Sequence, residues 1–148
     1  MRISNVYPLF LNNLVTQEYV THAPLAAACH VSCTQIVNLL LAAGAKIESM
    51  NENDTGNALH AVMSSSSPYP VHVFECLDLI LNTAVAKGMN MNDYVNSQER
   101  GSRRTPSHFL HQNRYLQNHI ARIVSKLTHY GLNNSIRDSN GLRPSDLL

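Results

Sequence analysis

The sequence of 148 residues predicts an all-α protein in which paired helices stack side by side, and three observations carry this prediction. First, one pattern of apolar and turn residues recurs along the chain. Its copies begin at Ala23, Asn57, Thr105 and Arg143. Second, a glycine stands where the second helix of each of the first three copies is expected to end, at Gly44, Gly88 and Gly131. Third, a single helix pair cannot bury its apolar side alone, so consecutive copies are expected to share one core.

The first copy has the clearest helical signals. Pro24 stands where a helix can begin without losing a hydrogen bond, because the N–H of that position has no partner inside the helix. Gly44 is expected to end the second helix, since the left-handed conformation after a helix favours glycine. Between them, the second helix is expected to bury an apolar stripe formed by Ile36, Val37, Leu40 and Leu41.

Residues 23–28, 36–41 and 44–48 follow, in order, the opening, the apolar centre and the closing turn of an ankyrin repeat. The first copy therefore resembles an ankyrin unit throughout its length. Its departures from the family pattern are Ala23 for Thr, Ala26 for His, Lys46 for Asp and Glu48 for Asn. The resemblance covers about residues 23–148 and implies an ankyrin-repeat solenoid of three to four stacked helix-turn-helix units with an N-terminal capping helix.

The second and third copies are longer than the ankyrin period of about 33 residues, so they are expected to carry insertions. In the second copy the extra residues are assigned to a Ser- and Pro-rich surface connection at 64–70, to 83–87 after the second helix, and to the connecting loop at 94–104. In the third copy they are expected near 114–119, where they lengthen either the first helix or the turn between the two helices. Thr105 is predicted to cap the first helix of the third copy, ahead of Pro106. His60 and His108 occupy the histidine of the ankyrin opening, whose role in the family is to hydrogen-bond between adjacent units.

The whole chain is interpreted as one ankyrin-repeat domain, residues 1–148. Residues 1–20 are assigned to an N-terminal cap or a degenerate repeat, with an apolar helix expected at 7–15. Repeats follow at 21–53, at 54–101 with insertions, and at 102–139, and residues 140–148 are a partial repeat or a C-terminal cap. Three alternatives stay open for this end: the chain is a fragment of a longer array, Leu147 and Leu148 fold back as a minimal cap, or the end makes a homotypic contact.

The composition excludes several classes of partner. Eleven Lys and Arg against ten Asp and Glu give a net charge of +1, which is too small to indicate a nucleic-acid or membrane partner for the whole surface. No apolar run near the start is typical of a signal peptide or a membrane span. Three cysteines without a signal peptide indicate free thiols in a reducing, cytoplasmic compartment.

Two side-chain clusters could suggest a metal or redox site. Cys29, His30 and Cys33 include ligands that zinc accepts, and His108 and His111 are three residues apart on a predicted helix. A buried cysteine used as a small apolar residue and histidines used structurally explain both clusters more simply. The sequence therefore predicts no metal and no cofactor.

A cysteine nucleophile is the enzymatic alternative. Cys76 lies four residues after His72, but no catalytic signature, phosphate-binding loop or paired-carboxylate motif accompanies them. The chain is therefore not expected to be an enzyme or to act on a small-molecule substrate, and a cysteine-dependent enzyme is the third alternative.

The ankyrin resemblance implies an adaptor that binds another protein through the loops projecting between units and an inner helix face. Residues 99–104 place three arginines in the longest such loop, and arginine is favoured at interfaces because its planar fork pairs with carboxylates. A solubilising loop is the alternative, and nucleic-acid binding is disfavoured because no basic stripe with interleaved aromatic residues extends from this loop. The predicted partner-binding residues are Asn51, Glu52, Asn53, Asp54, Arg100, Arg103, Arg104 and Asn140.

Self-association, as a structural module or as part of a longer array, is the main alternative function. Irregular repeats with long insertions and many asparagines are similar to the divergent ankyrin proteins that intracellular bacteria and large viruses deliver into host cells. That likeness implies an effector that acts in the host cytosol.

Overall fold

The computed structural model describes residues 24–48 and 56–147. The predicted capping helix at 7–15, the loop residues Asn51, Glu52, Asn53 and Asp54, and Leu148 lie outside the described residues. Over the described ranges the chain forms α-helices and short 3₁₀ helices and no β-strand, which confirms the all-α fold class.

The described helices follow one another with short connections. They are α1 Pro24–His30, α2 Thr34–Ala42, α3 Ala58–Met63, α4 Pro70–Ala86, α5 Met91–Val95, α6 Pro106–Gln112, a first 3₁₀ helix Arg114–His119, α7 Ile120–Thr128 and a terminal 3₁₀ helix Pro144–Leu147.

The helix starts follow from local capping chemistry. Thr105 precedes α6, and its hydroxyl oxygen accepts a hydrogen bond from the backbone N–H of His108 at 3.4 Å. Asn57 precedes α3, and its side-chain oxygen accepts from the backbone N–H of Leu59 at 3.0 Å. Pro24 and Pro106 are the first residues of their helices. The predicted starts at these prolines and the cap at Thr105 are therefore confirmed.

The three predicted glycine ends share one geometry. Gly44, Gly88 and Gly131 follow α2, α4 and α7 with φ angles of 89°, 70° and 95°. In each case the N–H of the next residue donates to a carbonyl five positions back, at 3.0 Å from Ala45 to Leu40 and at 3.2 Å from Leu132 to Leu127. This bond satisfies a carbonyl that the helix leaves unpaired at its end. The left-handed turn therefore recurs at one place in each helix pair.

The helices pack in a repeated order. α1 packs against α2 and α3, α3 packs against α4 and α6, and α6 packs against α7 and the terminal 3₁₀ helix. α2 also packs against α4. One cluster of buried side chains runs through these contacts. Its largest fully buried apolar members are Leu40, Ile47, Leu59, Met63, Leu77, Ile80, Leu81, Leu110, Leu116, Ile123 and Leu127.

Two details of the second helices differ from expectation. Residues 83–87 were assigned to an insertion after the helix, but α4 continues without a break to Ala86. Its buried face, which includes Ile80 and Ala84, extends over the added turn, so packing explains the longer helix. In α2, Val37 and Leu40 are buried as predicted, whereas Ile36 is 49% exposed and does not belong to the core.

The connecting segment after α4 contains a further short helix, α5, that the sequence pattern did not indicate. Tyr94 of α5 is buried, and its hydroxyl donates to the carbonyl of Ile47 at 2.9 Å. Ile47 itself is fully buried. The connection of the second copy is thereby anchored to the end of the first copy.

The Ser- and Pro-rich segment 64–70 is not a free surface connection, which corrects the expectation from its composition. Ser65 is buried, and its hydroxyl shares a hydrogen bond with that of Ser32 at 2.6 Å. The N–H of Ser66 donates to the carbonyl of His30 at 2.8 Å. From the other side, the amide group of Asn113 donates to the carbonyl of Ser65 at 2.8 Å. The segment therefore joins the helix pairs before and after it.

The end of the described chain packs as a short turn. Pro144 is buried, and the terminal 3₁₀ helix contacts α6. The side chain of Asp146 accepts from the backbone N–H of Arg143 at 2.8 Å and so caps this turn.

Neighbouring leucines of α2 provide a matched test of the core. Leu40 is 1% exposed and Leu39 is 58% exposed. Leu40→Ala is expected to lower the free energy of unfolding by about 2–5 kcal/mol, because it removes buried methyl groups and leaves a cavity. Leu39→Ala makes the same chemical change in the same helix and is expected to cost less than about 0.5 kcal/mol. Urea unfolding of both variants measures the difference, and equal losses would contradict this packing.

Candidate partner-binding loops

The first contact between a helix and a distant loop is made by His60, in the first turn of α3. The N–H of Asn57 donates to Nδ1 of His60 at 3.1 Å, while the amide oxygen of Asn57 accepts from the N–H of His60 at 3.2 Å. Because Nδ1 accepts, the imidazole carries its proton on Nε2. That Nε2 donates to the carbonyl of Arg104 at 3.0 Å. His60 is fully buried, so a neutral ring with both nitrogens paired joins α3 to a loop that lies far along the chain.

The same arrangement recurs one helix pair later. The N–H of Thr105 donates to Nδ1 of His108 at 3.0 Å, and Nε2 of His108 donates to the carbonyl of Leu142 at 2.8 Å. His108 is also fully buried. Both histidines therefore make structural hydrogen bonds to loops that follow in the chain, while their assignment to contacts between adjacent ankyrin units stays a prediction. Each histidine holds a loop, and we refer to residues 96–104 as the arginine loop and to residues 133–143 as the terminal loop.

The arginine loop closes on itself. The N–H of Glu99 donates to the carbonyl of Arg104 at 2.9 Å. The Glu99 side chain is 1% exposed and accepts from both the N–H and the hydroxyl of Ser102. The hydroxyl of Ser97 accepts from the side-chain amide of Asn57 at 2.9 Å. A buried carboxylate and the capping residue of α3 thus set the shape of the loop.

The terminal loop is organised around Asp138, which is 6% exposed. Its Oδ1 accepts from the N–H groups of Asn140 and Leu142, each at 2.9 Å, and its Oδ2 lies 3.5 Å from Nε of Arg104. Burial raises the pKa of Asp138, but the backbone donors of Leu142 and Asn140 outweigh it, so the pKa lies below its usual value. The charged form of the carboxylate is therefore stabilised by two backbone N–H groups and the Arg104 guanidinium.

Besides the pair of Arg104 with Asp138, further hydrogen bonds join the two loops. The N–H of Ser139 donates to the carbonyl of Ser102 at 2.8 Å. The side-chain nitrogen of Gln98 lies within hydrogen-bond distance of two carbonyls, that of Arg103 at 2.9 Å and that of Arg137 at 3.3 Å. The arginine loop and the terminal loop therefore form one continuous edge.

The predicted partner-binding residues fall into three groups. Arg100, Arg103 and Asn140 are exposed on this edge. Arg104 is directed inward, because its guanidinium contacts Asp138 and donates to the side-chain oxygen of Gln112 at 2.7 Å. The remaining predicted residues, Asn51, Glu52, Asn53 and Asp54, lie outside the described residues.

Arg137 is an exposed residue of the edge that the sequence argument missed. It stands alone in the sequence, whereas the three arginines of residues 99–104 form a visible cluster. The available signal was its position directly before Asp138, in the segment that leads to the fourth copy. Arg103 is also unusual, since its φ of 57° is left-handed for a residue other than glycine.

The cysteines of the described chain lie in or beside the core. Cys29 and Cys76 are fully buried, and burial raises the pKa of both thiols. Cys33 is partly exposed. A raised pKa reduces the thiolate fraction, so neither buried thiol is activated as a nucleophile.

The described residues contain no group of three or more His, Cys, Asp or Glu side chains placed to hold a metal ion. Among the same residues no helix combines the length and the apolar character that crossing a membrane requires.

A scan of the sequence against models of known protein families finds no match, and a search of curated proteins finds no significant similarity.

The paired histidines predict a pH dependence of stability. Burial lowers the pKa of His60 from 6.5 to about 4, and burial also lowers the pKa of His108. The unfolded chain therefore binds protons near pH 6.5 that the folded chain excludes until about pH 4, so stability is full above pH 6.5 and falls as the pH decreases through this window. At pH 5 the loss from His60 alone is expected to be about 2 kcal/mol.

Urea unfolding at neutral pH and at about pH 5 measures this loss. His60→Gln is expected to be less stable at neutral pH and to reduce the pH dependence. His72→Gln, which removes an imidazole at an exposed position, is the matched substitution control. A native protein equally stable at both pH values would contradict the neutral buried imidazoles.

The burial of two thiols predicts their relative reactivity. Cys33 is expected to react with iodoacetamide under native conditions, while Cys29 and Cys76 react at least about a hundredfold more slowly because they require opening of the core. Peptide mass spectrometry after timed labelling measures each rate. Rapid modification of Cys76 would support the cysteine-dependent enzyme instead.

Proposed function

We propose that this chain is a divergent ankyrin-repeat protein that binds another protein through the edge formed by the arginine loop and the terminal loop. The observation that carries the proposal is the recurrence of one linkage, from His60 to the carbonyl of Arg104 and from His108 to the carbonyl of Leu142. In the ankyrin pattern this histidine joins one unit to the next. Its repetition supports a periodic array in a chain whose sequence repeats only loosely.

The loops are suited to binding because buried side chains fix their backbone while other side chains remain exposed to solvent. Buried groups fix them, among them Glu99 and Asp138, while Arg100, Arg103 and Asn140 remain exposed. Binding side chains on a rigid scaffold lose little conformational freedom when a partner docks. We assign Asn51, Glu52, Asn53 and Asp54 to the same surface on the ankyrin pattern alone.

The described chemistry gives more support to binding than to catalysis. The alternative nucleophile Cys76 is buried and has a raised pKa, whereas a catalytic thiol needs access to substrate and a lowered pKa. The proposal therefore assigns no catalytic residue, cofactor or metal to the chain.

Photo-crosslinking in the producing cells tests the binding surface. A benzoylphenylalanine at Asn140 is expected to give a discrete cross-linked product with another protein. The same residue at Asn82 of α4 or Ser125 of α7 provides matched controls, because these exposed positions lie on second helices away from the loops. Equal cross-linking from Asn82 and Ser125, or none from the loops, would contradict the proposal.

A further inference from the structure

The loop edge is strongly one-sided in charge. Glu99 and Asp138 are the only carboxylates in the sequence between residues 96 and 143. They are 1% and 6% exposed, and both accept hydrogen bonds from within their own loops. Neither carboxylate is accessible to a partner, so the acidic groups of this region serve folding alone.

Three exposed arginines of the same edge have no ion pair with a described residue, unlike Arg143, whose Nε lies 3.4 Å from the carboxylate of Asp146. No carboxylate among the described residues lies within ion-pair distance of Arg100, Arg103 or Arg137. Arg104 differs from them because Asp138 neutralises it. The edge therefore presents three guanidinium groups to solvent with no exposed acidic residue among residues 96–143.

Two of these arginines are held next to each other. Gln98 reaches the carbonyls of Arg103 and Arg137, and its side-chain oxygen accepts from the Arg103 guanidinium at 3.2 Å. The Arg137 guanidinium donates to the carbonyl of Gly141 at 2.7 Å. Each guanidinium thus uses one donor to fix its direction and keeps others for a partner. Fixing a long side chain in advance reduces the entropy lost on binding.

We infer that Arg100, Arg103 and Arg137 bind an acidic segment of a protein partner, one that carries several Asp or Glu side chains along an exposed stretch. This inference rests on the proposed protein-binding function and names the chemistry of the partner. Guanidinium groups spaced along two joined loops match a row of separate carboxylates, each of which accepts a charge-assisted hydrogen bond. Charge complementarity of this kind determines which partners are selected and how fast they associate.

A nucleic acid also carries a row of negative charges, but the loops lack what it requires. Residues 96–104 and 133–143 contain no aromatic residue on which a base could stack. Three arginines also neutralise too few phosphates for tight binding at physiological salt. The sequence-wide net charge of +1 adds little long-range attraction.

Fluorescence anisotropy with defined probes tests the inference. The probes are a labelled peptide in which Glu alternates with Ser, its counterpart with Gln in place of Glu, and a single-stranded oligothymidylate. The Glu peptide is expected to bind, more weakly as salt is raised, and the Gln peptide is not. Arg100→Glu, Arg103→Glu and Arg137→Glu combined should weaken binding of the Glu peptide by about tenfold or more.

A matched variant controls for net charge. Lys87→Glu, Arg114→Glu and Arg122→Glu combined make the same change at exposed positions away from the loops, and should alter binding by less than about twofold. Circular dichroism establishes that both variants remain helical.

Equal weakening by the two triple variants would overturn the inference, as would tighter binding of the oligothymidylate or equal binding of the Gln peptide. If the acidic peptide fails while Asn140 still cross-links to a partner, the acidic-segment inference falls and the protein-binding proposal stands. If loop cross-linking also fails, both fall.

Discussion

A neutral imidazole with both nitrogens paired is the interaction on which the described arrangement depends. At His60 and at His108 the capping residue of the same helix donates to Nδ1, and this contact fixes the proton on Nε2. Only that tautomer can donate to the carbonyl of the following loop. A second proton would turn Nδ1 from an acceptor into a donor that faces the N–H of the capping residue, in a fully buried site. One side chain therefore caps a helix, joins two parts of the chain distant in sequence, and determines where a loop begins.

This linkage explains why loops with few apolar residues are nevertheless well placed. The carbonyls of Arg104 and Leu142 are fixed by histidines that lie within the core. From these fixed points, Glu99 and Asp138 turn the chain back by accepting hydrogen bonds from backbone and side-chain donors. Buried polar groups are costly unless they are paired. Oε1 of Glu99 and both oxygens of Asp138 are paired, while Oε2 of Glu99 is buried without a hydrogen-bond partner among the described residues. The exposed arginines are then free for other contacts.

The features that could be predicted from sequence are those that local chemistry decides. The glycines after α2, α4 and α7 and the cap at Thr105 act on residues within one turn. The helix ends and the helix start that they determine can therefore be predicted from the sequence. The inward direction of Arg104 could not be predicted in this way, because its partner Asp138 lies 34 positions away. In the sequence Arg104 looks like its neighbour Arg103. Composition was misleading for the segment 64–70, since its serines bond to partners such as Ser32, 33 positions away. Arg137 became a candidate only when the two loops were seen to be joined.

The Ser- and Pro-rich segment 64–70 fixes the helix that precedes it, which a flexible loop would not do. The histidine linkage acts at the start of α3, and the inserted serines act at its other end, where Ser66 bonds to His30 and Ser65 bonds to Asn113. α3 is only 6 residues long, and a helix of that length is not stable by itself. It is fixed at both ends by contacts to the preceding and following helix pairs. The segment 64–70 therefore supplies hydrogen bonds that hold this short helix against α1 and against the residue that follows α6.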